Sequence, residues 1–282
     1  MDPLFTSVTR TSDIVYGIGK RSGEDQTLLM DIYTPDGDTE TERPVLIIAF
    51  GGGFVGGFRR DPLVTTLAEN YAKRGYVTAS IDYRFFEETP ATEDEFNIAV
   101  IESMHDMKAA VRFIREDALG PDIYGTRSDV IFVSGVSAGG IMASFSGALD
   151  ASDGLSQGVQ DFLDANNGLD GNSSANTQIS SGVQGVFSIS GAVTDFLWID
   201  SNSAPIYAAH EEFDTTVPCK FATSSQGAPL AGGCDMVREA ELDGVAAQLY
   251  LVEGSNNHVG YTPAQYTEFI DEAAVFLEAL IP

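Results

Sequence analysis

Short apolar runs rich in β-formers alternate with longer stretches of helical spacing along nearly the whole chain, and this alternation constrains the fold most. Leu28–Thr34 and Pro44–Phe50 read as strands. The second is almost wholly apolar, as a strand covered on both faces must be. Asp61 followed by Pro62 pairs an N-cap with proline at the first helical position, which predicts a helix running to about Arg74. Tyr76–Tyr83 is the next strand. Glu95–Asp117 then carries Ile98, Ile101, Met104, Met107, Ala110, Val111 and Ile114 at helical spacing. Asp129–Val136 reads as a buried strand, with a small-residue helix behind it from Ala138 to about Leu149. Val183–Ile189, Pro205–Ala209 and Gln248–Val252 complete the strands, and Pro263–Leu280 closes the chain as a helix. The expected class is α/β, a mostly parallel sheet of about eight strands with helices on both faces.

The chain shows no internal repeat and no break in composition, so residues 1–282 are read as a single domain. Residues 1–26 form an N-terminal arm in this reading, and 150–182, rich in Gly, Asn, Ser and Asp, a solvated insertion on the face away from the strand ends. Asp164-x-Asn166-x-Gly168-x-Asp170 within it echoes a calcium loop but lacks the distal glutamate, so no metal is expected there.

Composition narrows the partners. With 42 acidic and 15 basic residues the net charge is −27, a field that repels nucleic acid and anionic membranes. It reads as a solvating surface of the kind suited to salty water. No run reaches the roughly 18 apolar residues of a membrane span. The first 30 residues lack the basic and apolar regions of a signal peptide. Cys219 and Cys234 share one Pro/Gly/Ser-rich loop without metal-ligand spacing around them. They are read as a disulfide rather than two unrelated thiols, contributing on the order of 3 kcal/mol. Such a bridge points to a secreted or extracytoplasmic setting.

In parallel sheets, ligands gather at the carboxyl ends of the strands, and the chemically suggestive residues fall there. Gly135-Val136-Ser137-Ala138-Gly139 is a G-x-S-x-G pentapeptide between a strand and a helix, a turn that lifts the serine hydroxyl above the sheet at a helix N-terminus. The plainer reading is a structural turn with an N-cap serine. Serine needs a base, and the chain has three histidines. His105 lies inside a helical pattern and His210 at a strand end beside two glutamates. His258 follows the last strand, so it returns to the serine's edge and is the candidate base. Asp214, past the penultimate strand, is the candidate carboxylate that orients it, with Asp195 in reserve. The order Ser137, Asp214, His258 is the one expected on an α/β-hydrolase sheet.

These residues carry a family resemblance. Gly51-Gly52-Gly53-Phe54, Asp82-Tyr83-Arg84, Gly135-Val136-Ser137-Ala138-Gly139-Gly140 and His210-x-x-x-Asp214-x-x-Val217-Pro218 make the chain similar to serine carboxylesterases of the α/β-hydrolase superfamily with a GGG-x oxyanion loop, among them hormone-sensitive-lipase-like bacterial enzymes. The resemblance spans residues 27 to 282. It implies Ser137 as nucleophile, Asp214 as acid, His258 as base, and backbone N–H groups of Gly52, Gly53 and Ala138 as the oxyanion hole. It implies no metal or organic cofactor. Two departures stand out: Phe50 where many relatives carry histidine, and Glu211 where they carry glycine.

The expected function is hydrolysis of short-chain, aryl or exposed polymer esters through an acyl-enzyme. Phe54, Phe85, Phe86, Phe196, Trp198 and Tyr261 follow strand ends and are candidate pocket residues, or simply loop packing. The strands flanking Phe196 lie close together in sequence, so a small or absent cap and a shallow site are expected. Two rivals remain. Gly51-x-Gly53-x-x-Gly56 also spells a dinucleotide fingerprint, although four residues intervene before the helix signal at Asp61. A non-catalytic α/β-hydrolase-like binding protein is the other.

Overall fold

The computed structural model describes residues 2–282. Val8–Arg21, expected within an N-terminal arm, instead forms strand β1, paired antiparallel with β2 (Glu24–Pro35). Register shifts between Thr11 and Ile14 and between Val15 and Gly17 throw its side chains out of the period-2 pattern. It is also a largely exposed edge strand, so it lacks the apolar alternation that marks a half-buried one.

The expected alternation follows: β3 (Arg43–Ala49), α1 (Pro62–Lys73), β4 (Val77–Ile81), α2 (Glu93–Leu119), β5 (Thr126–Val136) and α3 (Ala138–Ala148). Local chemistry sets the helix starts. The Asp61 carboxylate accepts the Leu63 N–H at 3.0 Å ahead of Pro62. Thr92 Oγ1 accepts the Glu95 N–H at 3.2 Å, and Glu93, Asp94 and Glu95 sit against the positive end of α2.

Residues 150–182 are not simply loop. Ser156 caps a short helix, α4 (Gln157–Ala165), which buries Val159 and Leu163, and a 3₁₀ turn follows at Gly168–Asp170. Too few apolar residues fall in nine positions for the helical period to stand out from Gly- and Asn-rich flanks. The segment is tied down: Ser173 O accepts the Ile18 N–H of β1 at 2.8 Å. Its hydroxyl donates to the fully buried Asp106 at 2.6 Å, and the Arg84 guanidinium donates to the same carboxylate.

Next come β6 (Gly185–Ile189), β7 (Ala192–Val193), β8 (Ile206–Glu211), β9 (Ala222–Thr223), β10 (Pro229–Gly232), α5 (Gly233–Leu242), β11 (Ala247–Val252) and α6 (Pro263–Glu278). Helix α5 escapes the sequence pattern because it opens on Gly-Cys inside a loop-like composition, yet it buries Met236, Val237 and Ala240. The main sheet has eight strands in the order β1-β2-β4-β3-β5-β6-β8-β11. Every neighbouring pair from β4 to β11 is parallel, and β2 is antiparallel to both its neighbours. Strands β7, β10 and β9 form a separate small sheet.

The chain moves one way along the sheet from β3 to β4 and the other way from β4 to β5 and from β5 to β6. Right-handed crossovers therefore put α1 on one face and α2 and α3 on the other. Helix α6 joins α1, with Tyr71 Oη donating to Ile270 O. The reversal occurs at adjacent strands β3 and β5, and it opens a crevice above their carboxyl ends.

Candidate active site

Both the glycine loop and Ser137 leave the sheet at that reversal, from paired positions Ala49 and Gly135 at the ends of β3 and β5. Ser137 is the single residue between β5 and α3 and adopts φ 54°, ψ −118°. That conformation is costly for a non-glycine residue and persists only where packing enforces it. Here α3 is drawn against the sheet so closely that a Cβ at Gly139 would lie 2.4 Å from Ala49 O. The turn leaves the hydroxyl half-exposed at the first turn of α3, where the helix dipole favours negative charge.

His258 Nε2 lies 2.8 Å from Ser137 Oγ, and His258 Nδ1 lies 2.6 Å from Asp214 Oδ2. A carboxylate only accepts, so Nδ1 carries the proton and Nε2 is left to accept from the serine hydroxyl. The other Asp214 oxygen accepts the N–H groups of Thr216 and Val217 at 2.8 and 3.1 Å. The Asp214 side chain is fully buried, and that of His258 is 21% exposed.

The other two histidines are engaged elsewhere. His210 Nε2 donates to Val217 O at 2.8 Å while its Nδ1 accepts the Gly233 N–H at 3.1 Å, and burial lowers its pKa, so the ring is neutral. His105 stacks on Phe162, with burial pushing its pKa down to about 3. Asp195 caps the 3₁₀ turn Phe196–Trp198 by accepting the Leu197 N–H.

The loop after β3 folds over the serine. A Cβ at Gly52, where φ is +128°, would meet Gly56 O at 2.1 Å, so only glycine serves there. Among the described residues the N–H groups of Gly52, Gly53 and Ala138 donate to no protein acceptor. Phe50 is buried and stacks on Tyr83 at 4.4 Å, with Phe85 edge-on at 6.0 Å. The Tyr83 hydroxyl donates to Phe50 O at 2.8 Å. An aromatic stack and a bond to the main chain thus support the loop at position 50. Asp82 and Arg84, beside Tyr83, pair with Arg59 and Asp106.

Beside Ser137 lies a crevice of about 20 Å³ walled by Phe54, Ile141, Val217, Leu230 and Gln226. Across Gly53, Phe96 and Gln226 it borders a cleft of about 410 Å³ lined by Val55, Phe86, Pro90 and Ala91. Of the six candidate pocket aromatics, Phe54 lines the crevice and Phe86 the cleft, stacked on each other at 4.6 Å. The other four line neither space. Phe85 packs on Phe50 and Tyr83, Phe196 on Phe221, and Trp198 on Phe145. Tyr261 is buried, bonded to Ser190 Oγ and Ala209 O. No residue of 150–182 lines either space.

Ser224, Gln226 and Leu230, absent from the sequence-based candidates, come from the hairpin of β9 and β10. Cys219 and Cys234 are joined by a disulfide at the base of this hairpin, with their Cα atoms 5.0 Å apart. The cysteine pair was the one sequence signal that this segment has a defined shape. Among the described residues no group of three or more His, Cys, Asp or Glu could hold a metal ion, and no helix is long and apolar enough to cross a membrane.

A switch-point crevice in a mostly parallel sheet, with a strained serine between strand and helix, defines an α/β-hydrolase. More narrowly, the chain belongs to the BD-FAE family, whose model matches residues 30–170, half of its length. The match takes in the glycine loop and Ser137 and ends before Asp214 and His258. No curated protein matches the chain. Among solved structures, Thermogutta terrifontis esterase 2 phosphoramylated by tabun aligns at TM-score 0.68 and 19% identity, over 96% of this chain and 94% of that one. The propionate-bound esterase from that planctomycete gives TM-score 0.67 at 19% identity, over 95% and 93%. A truncated carbohydrate esterase from gut microbiota gives 0.70 at 17%, over 99% and 98%. At these identities the likeness is one of fold.

Proposed function

We propose that this chain is a carboxylic ester hydrolase acting through Ser137, with His258 as general base and Asp214 orienting it. The observation that carries this reading is the continuous relay of 2.8 and 2.6 Å contacts from Ser137 Oγ through the imidazole to a buried carboxylate. As Ser137 Oγ attacks the ester carbon, His258 Nε2 takes its proton and the carbonyl electron pair moves to oxygen. The N–H groups of Gly52, Gly53 and Ala138 are the donors for that oxyanion, each worth about 10²–10³ in rate. Collapse expels the alcohol with the proton from His258, and water repeats the sequence on the acyl-serine. These steps need no metal or organic cofactor. Gly51 supports this use of the loop over a dinucleotide site: a Cβ there would lie 3.2 Å from Ser137 Cβ, so the loop wraps the nucleophile. A complete relay argues likewise against a binding-only role.

The small crevice favours a short acyl group, with the larger cleft receiving an aryl group or a polymer-borne alcohol. The fold likeness to a propionate-bound esterase and to a carbohydrate esterase agrees with that reading. Across p-nitrophenyl acetate, butyrate and longer acyl esters, kcat/KM is expected to peak at acetate or butyrate and fall at least about tenfold by octanoate, a difference of about 1.4 kcal/mol. A preference for the long chains would refute the assignment.

The disulfide bears on the same site and favours an oxidising compartment. Replacing both cysteines by serine is expected to lower stability by about 2–4 kcal/mol in a denaturant melt. Because Gln226 and Leu230 lie inside the closed loop and the proposed triad outside it, KM should rise more than kcat falls. Unchanged KM would detach the hairpin from substrate binding.

A further inference from the structure

The residue that departs from the family pattern at the end of β8 lies beside the proposed base. Glu211 is 1% exposed, and its Oε1 accepts the Gly260 N–H at 3.0 Å, with the Val259 N–H also turned toward the carboxylate. Gly260 and Val259 directly follow His258. Val259 itself sits at φ 56°, in the left-handed region that a β-branched residue avoids at a cost of about 1–3 kcal/mol. Such a conformation survives only if something outside the turn holds it. Glu212 makes a parallel tie lower in the same loop, accepting the Gly254 N–H at 2.8 Å.

We propose that Glu211 is a positioning residue: its buried carboxylate clamps the strained 258–260 turn, so that His258 faces Ser137 and Asp214 at once. The proposal rests on the triad reading above. The observations favour positioning over space-filling, because the side chain is a buried carboxylate bonded to backbone just after His258. Its second oxygen, Oε2, is buried with no hydrogen-bond partner among the described residues. Retaining such a group is costly unless its first oxygen is needed. Burial raises the Glu211 pKa and the Asp214 charge raises it further, while His258 and the two backbone donors oppose them. Tyr261, just before α6, and Tyr266, in its first turn, also feel its charge. The clamp, however, works through an accepting oxygen, which a neutral amide of the same reach also supplies.

That distinction sets the test. Glu211→Ala, Glu211→Asp and Glu211→Gln are compared with the parent by p-nitrophenyl acetate kinetics, with melts to check folding. The downfield proton NMR signal of His258 Nδ1–H is followed as well. Loss of the clamp (Ala) or of its reach (Asp) is expected to lower kcat about 10–100-fold with KM within about twofold, since small misplacement of a reacting group costs that much. The downfield signal should broaden or vanish in both. Glu211→Gln should keep the signal and at least about a third of kcat. If Ala does not fold, Asp against Gln carries the comparison. Parent-like kcat and signal in Ala and Asp would overturn the proposal, as would a Gln variant as poor as Ala. If the parent turns over no ester, the proposed function fails, and the NMR arm alone still decides whether Glu211 positions His258.

Discussion

Ser137→Ala is expected to cut hydrolysis of p-nitrophenyl acetate by at least about 10⁴-fold while leaving the melting temperature within a few degrees of the parent. The chemical effect is large because no other hydroxyl shares a hydrogen bond with His258 Nε2 among the described residues. The structural effect is small because the elbow is held by other groups: the Ser137 N–H bonded to Ile189 O, the Ile141 N–H bonded to Ser137 O, and the close packing of Gly139 on Ala49. Alanine keeps all of these and removes one half-exposed hydroxyl. Retained turnover in a folded variant would end the acyl-serine mechanism.

Asp214→Asn tests the other end of the relay, and its expected effect is a loss of about 10³–10⁴-fold in kcat with a preserved fold. The amide oxygen can still accept the N–H groups of Thr216 and Val217, so the turn after β8 survives. The amide nitrogen then faces His258 Nδ1 and donates to it. That reverses the tautomer: Nε2 carries the proton and cannot take one from Ser137. A loss below about tenfold, against that expected range, would remove Asp214 from the relay. Asp195 would not replace it, since its carboxylate already caps the turn at Leu197.

What could be read in the sequence follows from how each element is buried. Strands β3 to β6 are covered on both faces, so they announce themselves as apolar runs, and the loops at their ends inherit a predictable edge of the sheet. That the loops carrying Ser137, Asp214 and His258 meet at one edge is legible for that reason. Strand β1 is an exposed edge whose register shifts scramble its pattern. The wall carried by β9 and β10 depends on two-residue pairings that no local period reveals. Chain position indicates that an aromatic follows a strand but not where its ring points. Trp198 and Tyr261 are drawn into the core by Phe145 and by Ser190 and Ala209, while Phe54 and Phe86 are left at the site. The role proposed for Glu211 does not show in the sequence because its hydrogen-bond partner, Gly260, lies far along the chain and meets it only after folding.

The hairpin between Cys219 and Cys234 has a further consequence for how such a site diversifies. Its ends are covalently joined, its strands belong to the small sheet rather than the main one, where β10 also pairs with β7, and its tip at Gln226-Gly227 touches the cleft. The tip at 224–228 lies between paired ends and outside β8, and each doubling of a flexible loop costs only about 0.6 kcal/mol, so a longer tip is expected to cost little. On the proposed function, exchanging residues 224–228 is therefore expected to change selectivity while leaving the contacts among Ser137, His258 and Asp214 in place.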